Sequence, residues 1–122
     1  MRTRSTLAAL MLMAVTVAVV VAGLGPARRT DHATRTFDLT GVGALGRWTL
    51  EPVTGLNYAL KDFAPATLFV EVGDDIVIHL RSADVFHRFY LPEFSVGPID
   101  VEPGHTATVR FRATHAGVFQ FY

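Results

Sequence analysis

Five histidines and eleven carboxylates carry most of the chemistry open to this chain of 122 residues, because it contains no cysteine. Disulfides, zinc–thiolate centres and thiol nucleophiles are therefore excluded within these residues. Imidazole suits both copper and zinc. A histidine-only site from His79, His87 and a third histidine would need them to be clustered, and no tight spacing joins them. His79 falls on the alternate face of a strand pattern, opposite its isoleucines, where a surface or satisfied histidine is expected. His105 follows the Pro103-Gly104 turn, His115 occupies a turn, and His32 lies in a polar tether. Asp84, three residues before His87, reads as an acid that closes its loop by accepting from nearby backbone N–H groups. No Ser-His-Asp arrangement, catalytic carboxylate pair or Gly-rich phosphate loop is present.

The elements that must position these residues are strands. Leu68, Val70 and Val72 alternate with Phe69 and Glu71, and after the Gly73-Asp74 turn Ile76, Ile78 and Leu80 alternate with Val77, His79 and Arg81. A period of two marks half-buried strands. Phe89-Tyr-Leu is a further strand, and Thr106 to Phe111 alternates again with Val109 and Phe111 on one face. A last aromatic run covers Val118 to Tyr122. Short strands separated by Gly or Pro turns argue for an all-β sandwich.

Earlier in the chain the signals thin out. Thr36-Phe-Asp-Leu-Thr and Arg47-Trp-Thr-Leu are two short strand candidates, with Gly41, Gly43 and Gly46 expected to break any regular element between them. Trp48 reads as a packing aromatic. Pro52, Gly55 and Pro65 bracket a loop around Asn57-Tyr-Ala-Leu-Lys-Asp-Phe. This third of the chain carries no nameable chemistry.

The N-terminus has a different character. Arg2 and Arg4 precede an uninterrupted apolar run from Leu7 to Leu24, with Thr16 its only hydroxyl. Eighteen helical residues would span about 27 Å, short for a bilayer crossing and long for a signal-peptide core. A membrane anchor is the first reading. A cleaved signal peptide is the second, with Val20 and Ala22 or Gly25 and Ala27 supplying the small residues for cleavage. A buried core helix is disfavoured, because a helix apolar on all sides has too little protein here to cover it. Residues 1–29 are thus a signal peptide or anchor, 30–35 a tether and 36–122 the folded domain. Eleven basic side chains balance eleven acidic ones, and the folded part alone is slightly acidic, so there is no nucleic-acid footprint.

Val72-Gly-Asp-Asp-Ile-Val-Ile-His-Leu, Asp84-Val-Phe-His87, Val96-Gly-Pro-Ile-Asp-Val-Glu-Pro-Gly and Phe111-Arg-Ala-Thr-His-Ala-Gly-Val-Phe-Gln-Phe-Tyr, in this order and spacing, resemble the cupredoxin domain of cytochrome c oxidase subunit II. They are also similar to the related copper domain of nitrous-oxide reductase. The resemblance covers about the last 55 residues. It implies a Greek-key sandwich behind an N-terminal apolar helix, and copper-dependent electron transfer outside the cytoplasm, periplasmic or at the cell surface. The redox partner would be a protein such as a cytochrome. Any oxidase activity would belong to a larger complex. The alternative is a non-redox sandwich for copper delivery or partner binding.

By the same resemblance His87 is the first ligand of a dinuclear copper centre. Two cysteines, a second histidine and a methionine would follow from position 123. The sandwich is then expected to be incomplete at its C-terminus, with an exposed edge on the last strand. An incomplete chain or early-ended gene prediction is the first explanation. A UGA codon read as stop instead of selenocysteine is the second, and a decayed gene the third. One imidazole alone would hold copper weakly. Asp100 and Glu102, beside Asp84 in the resemblance, read as an ordinary solvated loop, or alternatively as an acidic edge that steers a basic donor.

Overall fold

The computed structural model describes residues 18–22, 32–43 and 45–122. Among them nine strands run in chain order: β1 Ala18–Ala22, β2 Thr34–Val42, β3 Arg47–Thr49, β4 Thr67–Glu71, β5 Asp75–Ser82, β6 His87–Leu91, β7 Val96–Val101, β8 Thr106–Arg112 and β9 Gly117–Gln120. One short helix, α1 (Gly55–Leu60), and a 3-10 turn at Pro92–Phe94 interrupt them.

The strands form sheets of order β3-β2-β5-β8, β4-β1-β9 and β6-β7. Strand β5 is the spine of the first. Ile76, Ile78 and Leu80 are fully buried along one face, opposite Phe111, Val109 and Ala107 of β8 and in parallel register with Arg35, Phe37 and Leu39 of β2. The second sheet presents Val19, Val21, Leu68 and Val70 to the same core, while Phe69 and Val118 between them point outward. Trp48, Phe89, Leu91, Val101 and Phe121 complete a cluster shared by all the sheets, as in a β-sandwich.

Three local expectations differ from what the chain does. Gly41 lies inside β2 instead of ending it. The loop around Asn57 contains α1, nucleated by a capping box in which Thr54 Oγ1 accepts from Asn57 N and Asn57 Oδ1 accepts from Thr54 N. The helix expected over Leu7–Leu24 is a strand at Ala18–Ala22, with the remainder of that run outside the described residues. Three consecutive valines favour a pleated, buried strand, and both neighbouring strands meet this one with apolar residues. Val19 stands opposite Leu68 of β4 and Phe119 of β9. No helix among the described residues is long and apolar enough to cross a membrane.

The final strand lies at the edge of its sheet. Strand β9 is paired with β1, and just past it Tyr122 exchanges both backbone hydrogen bonds with Tyr90 of β6, at 2.8 and 2.9 Å. That pair joins the β6-β7 ribbon to the β4-β1-β9 sheet.

Asp74, in the β4–β5 turn, ties the entry of β2 to the sandwich. Its buried carboxylate accepts from Ala33 N, Glu71 N and the Arg35 guanidinium. Burial pushes its pKa up, but those donors outweigh it and hold the carboxyl below its usual range.

Candidate functional site

His87 opens β6 at the end of the loop that leaves β5, and that loop is built around Asp84. Ser82 Oγ donates to the carbonyl of Val85 and accepts from Asp84 N, which turns the chain back on itself. The Asp84 carboxylate then gathers four donors. Oδ1 accepts from Val85 N at 2.7 Å and His87 Nε2 at 2.9 Å. Oδ2 accepts from Gly43 N at 2.7 Å and Tyr58 Oη at 3.0 Å. Three separate segments thus converge on one carboxylate: the β2–β3 turn, α1 and the loop itself.

Charge follows from this geometry. Burial pushes the Asp84 carboxyl up, but His87, the Val85 amide, the Tyr58 hydroxyl and the Gly43 amide together bring it down to about 2. The bond donated to this carboxylate, followed by burial, raises the Tyr58 hydroxyl above its ordinary value. An ionised carboxylate only accepts, so His87 Nε2 carries the proton that bridges to it. Nδ1 has no hydrogen-bond partner among the described residues, an arrangement like that of carboxylate–histidine pairs that orient metal-binding imidazoles.

The imidazole is wedged in place. Its face rests on the backbone of Gly41, where an added Cβ would lie 2.6 Å from Cγ and 2.8 Å from both Cδ2 and Nδ1. Near-equal distances to those three ring atoms mean contact with the ring's face, so glycine is required there by space. Trp48 closes the site, with its ring centroid 5.5 Å from that of His87, and continues to Phe89 at 5.6 Å and on to Phe121 at 5.1 Å. Only 12% of the His87 side chain remains exposed.

The other histidines stay apart from this site. His79 Nδ1 is 3.1 Å from Thr108 Oγ1, and His105 Nδ1 is 3.3 Å from the Pro103 carbonyl. His115 stacks on Phe94 and meets Phe119 edge-on. His32 sits over Gly73, where a Cβ would come within 2.5 Å of its ring. Among the described residues no three His, Cys, Asp or Glu side chains form a group able to hold a metal ion. Asp100 is paired with Arg88, Nε to Oδ1 at 2.7 Å, so its charge is matched locally, while Glu102 is exposed.

Asp84 closes its loop as the sequence led us to expect. Tyr58, Gly41, Gly43 and Trp48 were not expected at the site. The hint available for Tyr58 was the Thr54-x-x-Asn57 cap, which announces a helix where we read a loop.

No family model matches the chain, and no solved structure matches it. Among curated proteins, cytochrome c oxidase subunit 2 of Thermostichus vulcanus is 33% identical over 73 residues. The match covers 55% of this chain and 22% of that protein, so the chain is similar to about a fifth of its relative's length.

Proposed function

We propose that this chain carries a cupredoxin-like, Greek-key domain of the oxidase subunit II type, serving copper-dependent electron transfer outside the cytoplasm. Similarity to an oxidase subunit 2 and a mostly β fold with one shared core support this reading. The observation that carries it is the setting of His87: Nε2 is tied to Asp84, Nδ1 has no hydrogen-bond partner among the described residues, and the ring is packed against Gly41 and Trp48. Such rigidity suits a ligand that must keep one geometry in two oxidation states.

The donors present in these 122 residues do not fit a copper centre by themselves. The site around His87 supplies one imidazole and the chain has no thiolate, whereas dinuclear and blue copper sites need sulfur ligands. The remaining ligands, in this reading, follow Tyr122. Mutual hydrogen bonding makes Tyr90 and Tyr122 an antiparallel pair. A strand continuing in that register would pass beside Phe89 and Arg88 toward His87. The partner is then a redox protein such as a cytochrome, and any oxidase activity belongs to the assembly.

The test is copper titration followed by visible absorption and paramagnetic resonance. The 122-residue chain is expected to bind copper only as a surface histidine does, with little change on His87→Ala. A chain whose reading frame continues with cysteine is expected to show an intense thiolate band that His87→Ala abolishes. A continuation without cysteine, or a band unchanged by His87→Ala, overturns the proposal and leaves a non-redox domain for copper delivery or partner binding.

A further inference from the structure

The N-terminal apolar run and strand β1 share residues, and the two roles exclude one another. Ala18–Ala22 hydrogen-bonds outward on both sides, parallel to β4 and antiparallel to β9. A helix crossing a bilayer satisfies its backbone within the segment. The run cannot be divided between the two roles either. With β1 seated in the sheet, Leu7–Val17 offers 11 residues, about 16 Å of helix, against a hydrocarbon core of about 30 Å. Crossing the membrane with this run therefore requires Ala18–Ala22.

The strand is also a substantial part of the fold. Val19 is fully buried and Val21 is 3% exposed, both in the core cluster. Removing them empties two core positions and leaves β4 and β9 without the partner between them.

We infer that Ala18–Ala22 exchanges between two sites, the central position of the β4-β1-β9 sheet and a lipid bilayer. Membrane insertion withdraws β1 and opens the facing edges of β4 and β9. A water-soluble form keeps the strand and has no membrane-spanning helix in this run. The inference does not depend on the copper reading, since it uses only the run's length and the strand's pairing.

The experiment uses the full chain with Val20→Cys and Val118→Cys. These positions are register partners across β1 and β9, and Val118 points outward. Because the natural chain has no cysteine, no other thiol competes. Protein is synthesised with and without vesicles of phosphatidylcholine and phosphatidylglycerol, then treated with a mild oxidant or a short bis-thiol cross-linker. The cross-link is expected in the soluble fraction and at about tenfold lower yield in the alkali-resistant membrane fraction. Adding Met13→Arg, outside the strand, is expected to move the chain to the soluble fraction and restore the cross-link there.

Equal cross-linking in both fractions, or none in either, overturns the inference. So does an intact mass showing that the folded protein has lost residues 1–22. Should the cysteine pair impair folding, hydrogen exchange on the unsubstituted chain decides. The amides of Thr67–Glu71 and Gly117–Gln120 are expected to exchange about tenfold faster in the vesicle-bound form, and equal protection overturns the inference.

Discussion

Nε2 of His87 lies 2.9 Å from Oδ1 of Asp84, and that carboxylate also holds Val85 N, Gly43 N and Tyr58 Oη. One side chain therefore orients a histidine ring and pins two distant segments to the same loop. Replacing Asp84 with Ala strands these donors in a largely buried site. Each unsatisfied group costs about 1–3 kcal/mol, and some will find water. A loss of about 2–4 kcal/mol in urea unfolding at neutral pH is expected. Nitrogen NMR should place the proton on Nε2 of His87 in the natural chain and a mixture of tautomers in the variant.

Acid should reveal the same carboxylate. Its pKa is about 2 in the folded chain against 3.8 for an ordinary aspartate. Because the folded value is depressed, the contribution to stability is fully present above pH 4 and disappears as pH falls from about 4 to 2. The size of the shift corresponds to roughly 2 kcal/mol. Asp74, depressed in the same direction, adds to the loss. Unfolding curves between pH 2 and 6 should be flatter for Asp84→Asn than for the natural chain, and parallel curves would refute this account.

Much of the sandwich was legible because β4, β5 and β8 announce themselves locally. Ile76, Ile78 and Leu80 alternate within a single strand, and an alternating pattern needs no knowledge of the rest of the chain. The anchoring of Asp84 was legible for the same reason, since Val85 and Ser82 are its near neighbours. Gly41 and Tyr58 were not, because they join Asp84 and His87 through contacts across 26 to 46 positions. Glycines read locally as breaks. Here Gly41 continues a strand, and its missing side chain is space for an imidazole. Strand β1 was missed because uninterrupted valine and alanine satisfy a buried strand and a membrane helix equally well.

Gly41→Ala tests that space directly. The new methyl would overlap the His87 ring by a wide margin, so the ring must leave Trp48 or β2 must shift. Overpacking of this kind costs about 1–3 kcal/mol. Tryptophan emission is expected to shift, because Trp48 is the chain's one tryptophan and 4% exposed. Unchanged emission and unchanged stability would mean that His87 does not rest there.

Two ion pairs should differ in value despite similar distances. Arg35 is partly exposed, but its partner Asp74 is 1% exposed. Arg35→Met leaves a buried carboxylate short of its charged donor, and about 1–3 kcal/mol should be lost at pH 7. Arg88 and Asp100 are 58% and 51% exposed, so solvent screens the pair and Arg88→Met should cost far less than Arg35→Met. Thermal or urea unfolding of the two variants gives the comparison.

The register of β1 also sets a clock. Val20 pairs with Val118, nearly a hundred residues later in the chain. During synthesis the first strand can meet β4 midway, but it cannot be seated between β4 and β9 until almost the whole chain has been made. At about 5–20 residues per second, that leaves roughly 5–20 s in which its valines have no finished slot. In that interval a nascent chain would offer its apolar end to whatever reaches it first, so the choice between sheet and membrane would be made by the order of events at the ribosome before the sandwich can compete for the strand.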